Sequence, residues 1–162
     1  MLFRSHLVLS TLHTNDAPTA VTRLVEMGIE PFLIASAIDC VVAQRLARTL
    51  CTTCKRRTLI PARVLEDGGF HAGFDLEAYE PSGCGRCANT GYKGRIGLYE
   101  VMVVNEDIRK LVLDRASADQ IAVAAVRSGM RRLRDDGLEK VKQGRTSIAE
   151  VVRVTGSAGS AD

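Results

Sequence analysis

Two pairs of cysteines, Cys51 with Cys54 and Cys84 with Cys87, constrain this chain more than any other feature. The CxxC spacing lets both sulfurs of a pair converge on one ion around a tight turn, and two such pairs supply four thiolates for a tetrahedron, the geometry zinc favours in structural sites. Gly83 and Gly85 flank the second pair and give it backbone freedom. The loop from Cys54 to Cys84 is longer than the common ribbon spacing. Closure entropy grows slowly with length, so a metal site tolerates that. The competing readings are two local disulfides or four unpaired thiols. Against them, Arg4 and His6 interrupt any apolar segment near the start, so no secretory signal opens the chain. In a reducing compartment paired cysteines more often bind metal than form disulfides. Cys40 lies outside the pattern in an apolar neighbourhood and is expected to be a small buried hydrophobe.

The 162 residues suffice for one ordinary domain, or one domain carrying an inserted module. With 46% hydrophobic and 25% charged residues the chain belongs with globular proteins rather than disordered ones. Aromatics make up only 4% and Trp is absent, so a core must come from Leu, Val, Ile and Ala. The net charge of +3 is too small to imply nucleic acid or a membrane surface as partner. The basic clusters Lys55–Arg57 and Arg131, Arg132 and Arg134 read as solvated faces. No apolar run is long enough to span a membrane.

His6–Leu12 alternates and is rich in Leu and Val, so it reads as a buried strand. Asn15 and Asp16 offer an N-cap, with Pro18 in the first turn, for a helix from Ala17 to Met27 that Gly28 ends. Pro31 opens a second short helix, and 41–50 reads as a strand. In that strand Val42, Gln44, Leu46 and Arg48 share one face and Val41, Ala43, Arg45 and Ala47 the other. From 51 to 94 glycines and prolines multiply, which reads as an inserted module with little core of its own, where a metal helps most. Arg95–Val104 reads as a strand. Asn105 caps a helix from Glu106, Ser117 with Gln120 forms a capping box for the next, Leu133–Gln143 is a third, and Ser147 with Glu150 caps a last short one.

His6 and His13 are seven residues apart, so in a regular strand they point to opposite faces and do not chelate one metal together. Each alone is more often structural than catalytic. The stretch Thr11–Asp16 (TLHTND) shifts that balance, because a strand end followed by a polar loop and a helix start is where α/β folds place ligand-contacting groups.

Four segments, taken together and in order, resemble the ATPases of type II secretion and type IV pilus assembly: 6–34 (HLVLSTLHTNDAPTAVTRLVEMGIEPFLI), 41–51 (VVAQRLARTLC), 84–101 (CGRCANTGYKGRIGLYEV) and 129–155 (GMRRLRDDGLEKVKQGRTSIAEVVRVT). The first resembles the family's histidine box. The resemblance implies an α/β fold: the C-terminal portion of a RecA-like P-loop ATPase domain over 1–50, a tetracysteine zinc module over 51–94, a strand and C-terminal helical bundle over 95–155, and a disordered tail over 156–162. It implies a ring-forming motor, typically a homohexamer, in the bacterial cytoplasm and peripheral at the inner membrane through platform proteins. ATP and magnesium would be its cofactors beside structural zinc on Cys51, Cys54, Cys84 and Cys87. The residues matching His6 and His13 lie near the nucleotide and are linked to hydrolysis, Thr11 and Asn15 fall in the nucleotide-side loop, and Arg23 matches an arginine at a subunit contact.

The family's GxxxxGK[ST] loop and Walker B carboxylate precede the histidine box, and this sequence contains neither. Without those amides, lysine and magnesium site the triphosphate has nothing to hold it, so this chain is expected to be a fragment, inactive alone. Met1–Ser5 is expected to be a truncation artefact, since the codons GTG CTC TTC CGA TCT would encode it and resemble the end of a common sequencing adapter. Two other readings compete: a stand-alone zinc-ribbon module for nucleic acid or protein, and a scaffold subunit that joins a ring without hydrolysing nucleotide. Scarce aromatics and low charge weigh against nucleic acid.

Overall fold

A computed structural model describes residues 7–70 and 73–156. His6 and the tail from 157 lie outside the described residues. Helices α1 (Ala17–Glu26) and α2 (Pro31–Ala37) lead into strand β1 (Cys40–Leu50). The cysteine-bearing stretch follows, with β2 (Arg56–Ile60), α3 (Ala62–Asp67), β3 (Leu76–Glu80) and a single 3-10 turn at Gly85–Cys87. Strand β4 (Tyr92–Val103) returns beside β1, and four helices close the chain: α4 (Glu106–Leu113), α5 (Ala118–Arg127), α6 (Leu133–Lys142) and α7 (Ile148–Thr155). Among the described residues the strands form two antiparallel pairs, β1 with β4 and β2 with β3.

The caps follow from side-chain chemistry. Asp16 accepts from the Thr19 N–H, Asn105 from Ile108, and Ser117 and Gln120 satisfy each other's backbone N–H groups. At α7 only half of the expected box forms. Ser147 accepts from the Glu150 N–H, while the Glu150 side chain turns instead to Arg48 and Arg153.

Two expectations are corrected. Residues 7–14 form no strand, and Leu7, Val8 and Leu9 are 83%, 78% and 88% exposed. A lone extended segment leaves its backbone N–H and C=O groups unpaired, and no described strand lies beside it to accept them. Cys40 is exposed rather than buried, because β1 alternates from Cys40 to Arg48 and Cys40 falls with Val42, Gln44 and Leu46 on the outer face.

Two apolar cores lie on the inner side of the β1–β4 ribbon. One gathers Ala17, Val21 and Ile34 with Met102, Ile108, Val112, Ile121 and Ala125. The other gathers Ala47 and Leu98 with Leu133, Leu138, Val141 and Val151, and also with Ile60, Leu65, Phe70, Leu76 and Ala78 from the cysteine-bearing stretch. That stretch therefore carries more core than its glycine-rich texture suggests. Burying Leu65 and Phe70 alone stabilises by about 2 kcal/mol each. Its core is shared with α6 and α7. Gly144, just past α6, has φ +65° and no room for a side chain, since a Cβ would stand 2.7 Å from Tyr79 Cδ2. Its carbonyl accepts from Lys55 Nζ at 2.7 Å, which joins the end of α6 to the first cysteine pair.

Candidate metal centre and the polar loop

The four cysteines predicted from spacing come together. Cys51, Cys54, Cys84 and Cys87 place their sulfurs within 4.8 Å of one another, and Cys51 and Cys87 are buried. The Sγ–Sγ distances are 3.9 Å for Cys51–Cys84, 3.8 Å for Cys54–Cys87 and 3.7 Å for Cys84–Cys87. With Zn–S bonds of about 2.3 Å, the edge of a tetrahedral ZnS4 site measures about 3.8 Å. The spacing fits that metal, and it is too long for S–S bonds of about 2.05 Å, so the two local disulfides are not formed.

Backbone geometry builds the second knuckle. Cys84 and Gly91 donate their N–H groups to Cys87 Sγ at 3.2 and 3.3 Å. Ala88 and Asn89 adopt left-handed conformations (φ 48° and 60°), which curl the chain so those amides point at sulfur. Gly91 is required by close approach, because a Cβ there would meet Pro81 Cβ at 2.4 Å. The first pair is tied to the rest of the fold by Cys51 N–H donating to the Gly91 carbonyl and Leu50 N–H to that of Arg145, both 2.9 Å.

The thiols are unequal. The Thr53 N–H draws the Cys51 thiol down against the opposing effect of burial. Burial pushes Cys54 up to about 11. At Cys87 burial is again the largest influence, but the Cys84 and Gly91 N–H groups and the neighbouring thiols outweigh it and bring the thiol down to about 6. Metal binding here would therefore release protons, Cys54 among the donors.

The other predicted site residues lie away from the cysteines in sequence and on the surface. Thr11, His13 and Asn15 are exposed in the segment before α1. Asn15 Oδ1 accepts from Arg45 Nη2 at 2.7 Å, and the Thr14 hydroxyl donates to the Asp16 carbonyl. Arg23 is exposed on α1 and pairs with Glu26 at 3.0 Å. His6 is outside the described residues. Of the two buried carboxylates, Glu100 and Glu150, only Glu150 is singled out from sequence, and that as a helix cap rather than as a buried charge. For Glu100 a signal existed, since it interrupts the inward alternation of β4 between Leu98 and Met102.

The family described as Type II/IV secretion system protein matches residues 4–153, and the chain belongs to it. Among relatives, it is 47% identical to the type IV pilus assembly ATPase PilB of Acinetobacter baylyi over 154 residues, covering 93% of this chain and 26% of that protein. It is also 47% identical to the type II secretion system protein HxcR of Pseudomonas aeruginosa, covering 93% of this chain and 28% of that protein. With the type II secretion system ATPase E of Vibrio cholerae the identity is 44%, covering 93% and 30%. The chain thus spans between a quarter and a third of the length of these relatives. Among the described residues no helix is long and apolar enough to cross a membrane.

Proposed function

We propose that this chain is the C-terminal part of a hexameric ATPase that powers type II secretion or type IV pilus assembly. The observation that carries the reading is the family match across residues 4–153, joined to relatives at 47% identity, one of which is named as an ATPase. In this reading residues 1–50 complete a RecA-like core, 51–94 form the zinc module and 95–155 the C-terminal helical part. His6 and His13 act beside the nucleotide, Thr11 and Asn15 line its loop, and Arg23 serves a subunit contact. ATP and magnesium bind through segments that this sequence does not contain, so the chain by itself does not turn over ATP. Zinc on Cys51, Cys54, Cys84 and Cys87 is structural, because four thiolates leave the metal no open position for water or substrate. The assembled motor works in the cytoplasm against inner-membrane platform proteins.

The test is a chimera in which residues 4–153 replace the aligned segment of the Acinetobacter baylyi pilus assembly ATPase. Retained ATP turnover and surface pili are expected. A folded, zinc-loaded chimera without turnover would refute the reading, and turnover by this chain alone would refute its inactivity.

A further inference from the structure

Glu100 sits on the inner face of β4 between two fully buried apolar residues and is itself 1% exposed. Its Oε1 accepts from the Ala17 N–H at 2.9 Å and its Oε2 from the Leu133 N–H at 3.2 Å. Ala17 and Leu133 are the first residues of α1 and α6, so one carboxylate closes the positive ends of two helices far apart in sequence. Helix α1 also has Asp16 as cap, but α6 has no side-chain cap of its own. Arg132 Nε stands 4.0 Å away on a half-exposed side chain and balances the charge weakly. A buried carboxylate is costly unless donors face it, and an apolar side chain of like volume would often sit there as well or better. What the carboxylate adds is a fixed relation between the two helix starts.

We infer that Glu100 is a positioning residue that clamps the starts of α1 and α6 and so ties the polar loop Thr11–Asp16 to the C-terminal helices. Asp16 caps α1 and its carbonyl holds the Thr14 hydroxyl, so the end of the loop moves with the start of α1. At its other end α6 is held by Lys55, next to Cys54, through the Gly144 carbonyl. One rigid helix thereby joins the cysteine knuckles to the polar loop. That this loop faces nucleotide rests on the ATPase reading above; the clamp does not.

The test is amide hydrogen exchange, read by NMR on the whole zinc-loaded chain, for Glu100→Met and Glu100→Gln. Methionine keeps the volume among Leu98 and Met102. Glutamine keeps the shape and one acceptor oxygen and carries the test if methionine prevents folding. We expect the Ala17 and Leu133 amides to exchange about tenfold faster or more, since each loses a charged acceptor. The Thr14–Asp16 amides should shift with them, while Cys87 and Gly91 stay unchanged. Lys55→Ala should perturb Thr14–Asp16 in the unaltered chain and no longer do so with Glu100→Met. Unchanged Ala17 and Leu133, an unmoved loop, or an even rise across all amides would each overturn the clamp, the last by reducing Glu100 to a general stabiliser. In the chimera, Glu100→Met should lower kcat with KM for ATP unchanged. If the unsubstituted chimera is inactive the ATPase reading fails, and the exchange result still decides the clamp.

Discussion

The two buried carboxylates respond to acid in opposite senses. Burial raises the Glu100 carboxyl, so protonation relieves the folded state there. At Glu150 burial also pushes upward and is the largest influence, but bonds from Arg153 and Arg48, including the Arg48 N–H at 2.8 Å, outweigh it and bring the group to about 2. Its contribution is therefore complete above the ordinary glutamate value of about 4.3 and is lost as pH falls toward the folded value. Melting temperature should fall between about pH 5 and pH 2, and Glu150→Gln should remove most of that slope while lowering stability at neutral pH. Thermal melts followed by circular dichroism across this range check it, and an unchanged slope in the variant would contradict it. Gly137 offers a second case in which magnitudes decide. Gly→Ala inside a helix ordinarily gains up to about 1 kcal/mol. Here the new Cβ would lie 2.4 Å from Cγ1 of Val151, a residue with no exposed surface. Overpacking of that kind costs about 1–3 kcal/mol, so Gly137→Ala should destabilise, and adding Val151→Ala should recover part of the loss in urea denaturation.

At the scale of elements, local chemistry was legible and long-range partners were not. Caps at Asp16, Asn105, Ser117 and Ser147 come from side chains that bond within three residues, and all four appear in the structure. The alternation of β1 was readable because its period is two and one face is buried. The cysteine tetrahedron was readable because CxxC spacing carries its own geometry. By contrast, Leu7–Leu12 has the composition of a strand, but strand formation requires a neighbour, and composition does not say whether the chain supplies one. The core under the cysteine-bearing stretch was missed because Leu65 and Phe70 bury against α6 and α7 residues some seventy positions later. The capping partner of α6 was missed for the same reason, since two whole helices, α4 and α5, separate Glu100 from it in sequence. The readable element makes the plainest prediction. Purified chain should hold about one zinc, lost in Cys84→Ser, because three thiolates bind far more weakly than four. Elemental analysis after dialysis against a weak chelator measures it, and equal zinc in both proteins would remove the metal reading.

Across the whole molecule, helix α3, the strand pair β2–β3 and helices α6 and α7 share one apolar cluster rather than standing apart. Three polar ties reinforce that: Leu50 N–H to the Arg145 carbonyl, Lys55 to the Gly144 carbonyl, and the Thr146 hydroxyl to the Arg48 carbonyl. Tyr92, which follows the second knuckle, adds a 2.7 Å hydrogen bond to Ser147 and lies under the Arg48 guanidinium at 4.1 Å. If zinc orders the knuckles, its binding free energy is part of the folding free energy of everything packed on them. Losing the ion should then loosen Leu65 and Phe70, and with them the buried faces of Leu133, Leu138 and Val141. Strong chelation should accordingly lower the melting temperature of a single transition and reduce helical circular dichroism, not merely release a loop. Calorimetry of the chain with and without a chelator distinguishes the cases. A second, unshifted transition belonging to the C-terminal helices would show the cysteine stretch to be an independent module, with the shared cluster too weak to couple them.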